Sequence, residues 1–265
     1  MVKKRKPKKD KPAPPEPVIE LSSLSKRYGD GDNATTALDA IDLVIDKGEF
    51  VAIMGPSGCG KTTLLNILGL LDKPSDGTYH LDGTSVARIS HHRQAKIRSR
   101  QIGFVFQNFN LLNRLNIIDN VALPLSYRHL SRTKQLTAAS RLLETFGLSE
   151  REYFMPHQLS GGQLQRVAIA RSLVNEPSIL LADEPTGNLD SKASELIMQE
   201  LSRIHKLGNT IIMVTHNPDL TVYATRIIHM IDGRIDTDTK HRRSQKTAPL
   251  KRPLNSLLAD EGSPA

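Results

Sequence analysis

The chain has 265 residues, 38% of them hydrophobic, and a formal net charge of +8. This is enough for a buried core in one domain, with or without a small second lobe. No apolar run approaches the roughly eighteen residues of a membrane span. Residues 1–17 hold seven Lys or Arg against two acids, and residues 240–265 hold six against two. The body between them is nearly neutral, which argues against a nucleic-acid groove built into the fold.

The two ends of the chain are expected to be disordered basic tails, over residues 1–17 and 236–265, because they offer little apolar surface. The basic start of the first tail is followed by prolines and lysines and not by an apolar segment, so we do not expect a secretory signal. Three interpretations of it stay open: a patch that contacts anionic lipid, an import signal, and a solvated tail without a partner. The single cysteine, Cys59, excludes an internal disulfide and fits a reducing, cytoplasmic setting.

From residue 18 the sequence alternates between apolar runs and turn residues. Residues 18–24 predict a strand and residues 25–30 a turn. Residues 41–45 alternate apolar and polar side chains, which predicts a strand with one exposed face. A tight turn at 46–49 then leads into a buried strand over 49–54. Antiparallel strands this close to a buried strand favour a mixed sheet.

Residues 55–63 read Gly-Pro-Ser-Gly-Cys-Gly-Lys-Thr-Thr, the pattern of a phosphate-binding loop between a strand and a helix. Small residues allow backbone amides to wrap a triphosphate closely. Lys61 is expected to reach the terminal phosphates, and the Thr62 hydroxyl to bind a magnesium ion. The predicted nucleotide-binding residues of the loop are Gly55, Pro56, Ser57, Gly58, Cys59, Gly60, Lys61, Thr62 and Thr63.

The rest of the chain predicts an α/β fold. Residues 108–157 show helical spacing and no strong strand signal, so we interpret them as an inserted helical subdomain. Helices and strands alternate over 158–235, which implies a parallel sheet with helices on its faces. The further predicted strands are 76–83, 102–106, 178–183 and 210–215, the helices are 161–174 and 191–206, and a hairpin closes the fold at 227–235. We therefore expect a mixed-sheet P-loop core over 18–235, with antiparallel strands near its N-terminus.

Two acids follow an apolar strand, where open α/β sheets bind ligands. Asp183 suits magnesium, and Glu184 is the candidate general base for an attacking water. The alternative, a pair of solvated acids, leaves the phosphate loop without its partner site.

Residues 159–163, Leu-Ser-Gly-Gly-Gln, place a serine N-cap and two glycines at a helix start, which is a second anion-binding terminus. One domain rarely needs two such sites for one nucleotide. We therefore expect a dimer in which each copy supplies one site to the other's nucleotide. We refer to residues 159–163 as the signature.

With the phosphate loop upstream and Leu-Leu-Ala-Asp-Glu-Pro downstream, the signature resembles that of the ATP-binding-cassette ATPases over residues 18–235. Residues 106–112 and 185–191 are most similar to the branch of macrolide exporters, lipoprotein-releasing transporters and the cell-division cassette. The resemblance implies an ATPase that uses ATP and Mg²⁺, forms a homodimer and drives a separate membrane permease from the cytoplasmic face of the inner membrane. No nucleic-acid partner is expected.

The resemblance also implies roles for individual residues. Tyr28 would stack on adenine, Gln107 would touch magnesium and the attacking water, and His216 would contact the γ-phosphate. For Tyr28 and His216 the alternative is ordinary packing. The signature residues implied to meet the opposite copy's ATP are Ser160, Gly161, Gly162 and Gln163, with Asp190 at the dimer interface.

Two points stay open. A thiol at a helix N-terminus can have a lowered pKa, so Cys59 is expected to be reactive, against the alternative of a buried, inert side chain. The second function considered is a non-transport cassette ATPase, of the iron–sulfur assembly or cell-division type.

Overall fold

The computed structural model describes residues 16–29, 31, 34–128 and 130–240. The strands are β1 (Pro17–Tyr28), β2 (Thr35–Asp46), β3 (Phe50–Met54), β4 (Asp76–Leu81), β5 (Thr84–Ser85), β6 (Ile102–Phe106), β7 (Ile179–Asp183), β8 (Thr210–Val214), β9 (Arg226–Ile231) and β10 (Arg234–Lys240). The α-helices are α1 (Lys61–Leu68), α2 (His91–Gln101), α3 (Ile117–Ala122), α4 (Arg132–Thr145), α5 (Gly161–Leu173) and α6 (Ser191–Lys206).

The strands form two sheets. The first has the order β2-β1-β4-β5, with antiparallel neighbours. The second, central sheet has the order β10-β9-β3-β8-β7-β6, in which only the β10–β9 pair is antiparallel. The predicted α/β class with a mixed-sheet core is confirmed, and the early antiparallel strands have a sheet of their own.

The central sheet is covered on both faces, which explains its continuous apolar strands. Alternate residues of β3 belong to different cores, Phe50 and Ala52 to one and Val51 and Ile53 to the other. One core contains α3, α4, α5 and α6, and the other contains α1 and the antiparallel sheet. Because the carboxyl ends of parallel strands share one edge, the loops after β3, β7 and β8 converge there.

The segment predicted to be a helical subdomain contains α3, α4 and 3₁₀ turns, and Asn120 stabilises its entry. This side chain is fully buried. Its Nδ2 donates to the carbonyls of Leu112, Leu115 and Asn116 at 3.0–3.1 Å. The amide thus satisfies backbone groups of the preceding loop that would otherwise be buried without partners.

Three sequence predictions need correction. The predicted turn at 25–30 is wrong up to Tyr28, because β1 continues there, paired with β2. Helix α2 was not predicted, since its sequence is strongly polar and has no apolar stripe. The boundary at 235 is too early, because β10 continues to Lys240. The tails over 1–15 and 241–265 lie outside the described residues.

Over the part of the chain that the structure describes, the helices are all too short or too polar to cross a bilayer.

Candidate nucleotide site

The loop between β3 and α1 has a backbone path that requires glycine at two positions. Gly55 has φ +149°, and a Cβ there would lie 2.2 Å from the Met230 carbonyl oxygen. Gly60 has φ +100°, and a Cβ there would lie 2.5 Å from the Ala37 carbonyl oxygen. The tip of the hairpin between β9 and β10 also contacts this loop, since the Gly233 amide donates to the Cys59 carbonyl at 3.1 Å. The loop is therefore held against backbone on two sides.

Lys61 is the buried cation of the loop. Its Nζ donates to the carbonyl oxygens of Gly55 at 2.9 Å and Pro56 at 2.7 Å. An ammonium group that is already desolvated and tied to neutral acceptors suits an incoming anion, which would offer a stronger partner.

A cleft of about 310 Å³ opens in front of this loop. We call it the phosphate cleft. Its predicted site residues are Ser57, Gly58, Gly60, Lys61, Thr62, Thr63, Asp183, Glu184 and His216. The structure thus brings together the phosphate loop, the two strand-end acids and the histidine after β8, which are far apart in the sequence.

Glu184 is held in one orientation by its neighbours. Its Oε1 lies 2.7 Å from Nδ1 of His216 and accepts from the His216 backbone amide at 3.1 Å, while the Thr215 hydroxyl donates to Oε2 at 3.3 Å. Its backbone is left-handed, with φ +46°, which is uncommon for a residue with a side chain and often marks functional sites. The carboxylate is therefore preorganised at the cleft wall.

Asp183, the neighbouring acid at the end of β7, is only partly exposed. Burial raises its pKa, and the charge of Glu184 adds to the rise, while Lys61 opposes it. Because burial disfavours an uncompensated negative charge, a carboxyl group in such a position favours binding a proton or a cation.

Gln107 directly follows β6 and is not among the described residues that line the phosphate cleft. Its Nε2 donates to Oδ1 of Asn188 at 3.3 Å, and the Asn188 Nδ2 returns a bond to the Gln107 carbonyl at 3.1 Å. Gly187 leaves room for this side chain, since a Cβ there would lie 2.6 Å from Nε2. The glutamine is thus tied to the loop that follows Glu184.

The signature lies at the start of α5, where Ser160 and Gln163 form a capping box. The Gln163 amide donates to Ser160 Oγ at 3.4 Å, and the Ser160 amide donates to Gln163 Oε1 at 2.9 Å. A second cleft of about 310 Å³ lies beside it, and its lining includes Gly161, Gly162 and Asp190. We call it the signature cleft. Among the described residues, the two clefts have no lining residue in common.

Tyr28 lies outside the residues that line the phosphate cleft, at the end of β1 and paired with Thr35 of β2. Its ring is 44% exposed, with the Lys26 ammonium 4.7 Å from the ring centroid. Its hydroxyl donates to Asp72 at 2.9 Å. A half-exposed ring fixed at its hydroxyl can offer a face to a planar base.

The Cys59 side chain is 3% exposed and belongs to the core between the sheets. The thiol is therefore buried, as in the alternative interpretation, and its reactivity stays a prediction. The Cys59 Sγ lies 3.8 Å from the Lys61 Nζ, so the thiol packs beneath the buried cation of the loop.

Sequence reasoning missed three side chains that organise the site: Asn188, Gln165 and Arg171. Gln165 is fully buried on α5, and Arg171 on the same helix donates to two carbonyls of the loop after Gln107. Asn188 and Gln165 lie within or next to a quoted motif and Arg171 lies further along α5, but the contacts of all three are with residues distant in sequence.

A glycine-rich phosphate loop at a helix N-terminus, with strand-end acids on the same edge of a parallel sheet, defines a P-loop nucleoside triphosphatase. Comparison with known proteins takes the assignment further. The model of the ABC transporter family matches residues 38–187. An uncharacterized ABC transporter ATP-binding protein, YknY of Bacillus subtilis, is 48% identical over 86% of this chain and 99% of its own length.

The macrolide export ATP-binding/permease protein MacB of Chlorobaculum tepidum is 49% identical over 84% of this chain, which spans 34% of MacB. A solved dimeric structure of the ATP-binding cassette MJ0796, in a post-hydrolysis state with ADP and Pi, superposes with a TM-score of 0.78. It is 42% identical and covers 85% of this chain and 99% of its own. The chain belongs to the ABC transporter family, and it is an ATP-binding ATPase of that family.

Proposed function

We propose that this chain works as a homodimer that hydrolyses ATP to drive a membrane permease on a separate polypeptide. The observation that carries the proposal is the pair of distinct clefts, one with the phosphate loop and acids and one at the signature helix. Each is half of a composite site, and a second copy completes it. The relative with bound ADP and Pi is also dimeric.

In this proposal the phosphate cleft performs the chemistry. Backbone amides of the loop and the Lys61 ammonium bind the phosphates of ATP. Glu184 accepts a proton from the attacking water, and His216, which fixes Glu184, contacts the γ-phosphate. A positioned general base of this kind contributes roughly 10²- to 10⁴-fold in rate.

A magnesium ion fits the residues of this cleft. Thr62 and Asp183 line it together, and hydroxyl and carboxylate oxygens are the donors that Mg²⁺ prefers beside phosphate oxygens. A cation would also relieve the burial cost that raises the pKa of Asp183. When bound, the ion would neutralise phosphate charge. Gln107 would join this site only after leaving Asn188.

The remaining binding roles fall at the edges of the composite site. Tyr28 is proposed to stack on adenine. The γ-phosphate is proposed to contact the signature of the partner copy, at Ser160, Gly161, Gly162 and Gln163. Asp190, which caps α6 by accepting from the Ala193 amide at 2.8 Å, lies at the proposed interface.

The proposed permease docks on the helical subdomain, which moves with the hydrolysis state. We place the assembly at the cytoplasmic face of the inner membrane, in export or in extraction of a macrolide, peptide or lipoprotein. YknY carries the cassette over nearly its whole length, whereas MacB is named an ATP-binding/permease protein, which supports a separate permease here. The basic tails are proposed to contact anionic lipid.

The alternative is a non-transport cassette ATPase. Purification of the tagged chain from detergent-solubilised membranes distinguishes this alternative from the transport proposal. Recovery of a stoichiometric integral membrane protein supports the transport proposal, and its absence favours the alternative.

Glu184→Gln tests the composite site. We expect turnover to fall by roughly 10²-fold or more, because the base is lost while its shape is kept. The variant should form a dimer only with ATP, measured by size-exclusion chromatography. Glu150→Gln, at an exposed position, is the matched control and should turn over normally. A monomer that binds ATP without dimerising would contradict the proposal.

A further inference from the structure

Gln165 on α5 joins the two loops that carry the hydrolysis residues. Its Nε2 donates to the Pro185 carbonyl at 2.6 Å and lies 3.5 Å from the Phe106 carbonyl. Pro185 directly follows Glu184, and Phe106 directly precedes Gln107. One buried amide therefore ties the ends of β7 and β6 to the helix that begins at the signature.

The same helix holds the far side of the Gln107 loop. Arg171 donates Nη2 to the Phe109 carbonyl at 2.8 Å and Nη1 to the Asn110 carbonyl. Phe109 and Asn110 have φ values of +60° and +49°. Side-chain-bearing residues rarely adopt this conformation, so the loop depends on outside contacts for its shape.

Helix α5 cannot slide freely over β6, because the two pack at close range. A Cβ on Gly103 of β6 would lie 2.5 Å from the Ser172 carbonyl of α5. A displacement at the N-terminus of α5 is thus carried to the end of β6 instead of being absorbed between them.

We propose that Gln165 is a positioning residue that couples engagement of the signature to the placement of Gln107 and Glu184. Only its donor group acts: Oε1 is buried and has no hydrogen-bond partner among the described residues. The role needs a hydrogen-bond donor at this point, and a side chain that only fills the space does not suffice. The proposal rests on the hydrolytic activity and the signature site, and it does not depend on a membrane partner.

The first test replaces the donor and keeps the volume, as Gln165→Met in the full chain. We expect kcat to fall roughly tenfold or more and KM to change little, because the phosphate-cleft residues are untouched. Gln135→Met is the matched control. Gln135 is also a buried glutamine, on α4, whose Nε2 donates to the Leu130 carbonyl at 2.9 Å. It should lower the thermal midpoint without lowering kcat.

The second test, Gln165→Glu, supplies a donor only when the new carboxyl is protonated. A buried carboxyl has a raised pKa, so the ratio of its kcat to that of the wild type should rise as pH falls from about 8 to about 6. The charged groups on the surrounding elements, Asp183, Glu184, Arg171 and His216, are the same in both proteins, so the ratio removes the contribution that they share.

The proposal is overturned if Gln165→Met keeps a normal kcat, if the control Gln135→Met loses kcat to the same extent, or if the Gln165→Glu ratio is flat with pH. Failure of the composite site is a separate result: it appears as absence of the ATP-dependent dimer in Glu184→Gln, whatever residue stands at 165.

Discussion

The phosphate cleft and the signature cleft have the same size, about 310 Å³, and both lie at helix N-termini, but they are built differently. The phosphate cleft is shaped by glycines that other residues cannot replace and by the buried Lys61. The signature cleft is shaped by two side-chain caps, Ser160 and Asp190. The first therefore has the buried cation and the acids to bind and cleave a phosphate, while the second offers two capped helix N-termini and exposed charges such as Lys192. This asymmetry is what a site shared between two copies requires.

The largest expected difference between the clefts is in ATP affinity. Lys61→Ala removes the buried cation and frees two loop carbonyls, so ATP affinity should fall roughly 100-fold, as loss of charged hydrogen bonds implies. Lys192→Ala removes an exposed cation from the signature cleft and should leave the affinity of the monomer unchanged. Titration with a fluorescent ATP analogue measures both. Equal losses would mean that both clefts bind nucleotide in the free chain.

A smaller effect is expected from removing an N-cap serine, and two such serines distinguish the loss of helix stability from the loss of activity. Ser160 and Ser131 are both N-caps, each accepting from the third helical amide at 3.4 Å. Alanine at either should cost about 1 kcal/mol of unfolding free energy in urea. Only Ser160→Ala should also reduce ATPase activity and the ATP-dependent dimer, because in the proposed dimer only that helix meets the partner's nucleotide. If Ser131→Ala reduces activity equally, the signature helix acts through stability alone.

The smallest expected effect is the pH dependence of stability. The pKa of Asp183 is raised by burial, so the folded state binds its proton more tightly than the unfolded state, and stability falls as pH rises through that range. Asp183→Asn should therefore raise the unfolding free energy at neutral pH, with the gain vanishing as pH approaches the ordinary aspartate value of 3.8.

Asp238, remote from both clefts, should behave in the opposite way. The Arg226 guanidinium, bonded to it at 2.6–2.7 Å, lowers its pKa, so its stabilisation is present above 3.8 and is lost as pH falls through the lowered value. Asp238→Asn should destabilise the fold at neutral pH. Urea unfolding of both variants across this range measures the two signs, and the same sign for both would contradict the assignment of Asp183 as a strained site acid.

The phosphate cleft was far easier to predict from sequence than the contacts between elements. Its loop, flanking strand and helix form one continuous segment, and Glu184 stands at the end of an apolar run. Helix α2 was missed because its exposed, polar sequence has no apolar periodicity, and β1 was cut short because its last residues are polar. Gln165 and Asn188 could not be found, since their partners lie between 20 and 81 residues away and only the folded sheet brings them together.

The most direct test of the composite site is cross-linking between two differently tagged chains that both carry Glu184→Gln. One chain also carries Ser57→Cys in the phosphate cleft, and the other Lys192→Cys in the signature cleft; both positions are exposed, whereas Cys59 is buried. A short bis-maleimide should join the two chains only when ATP is present. Cross-linking that does not depend on ATP, or the absence of a cross-link between the two chains when ATP is present, would contradict a nucleotide held between two copies.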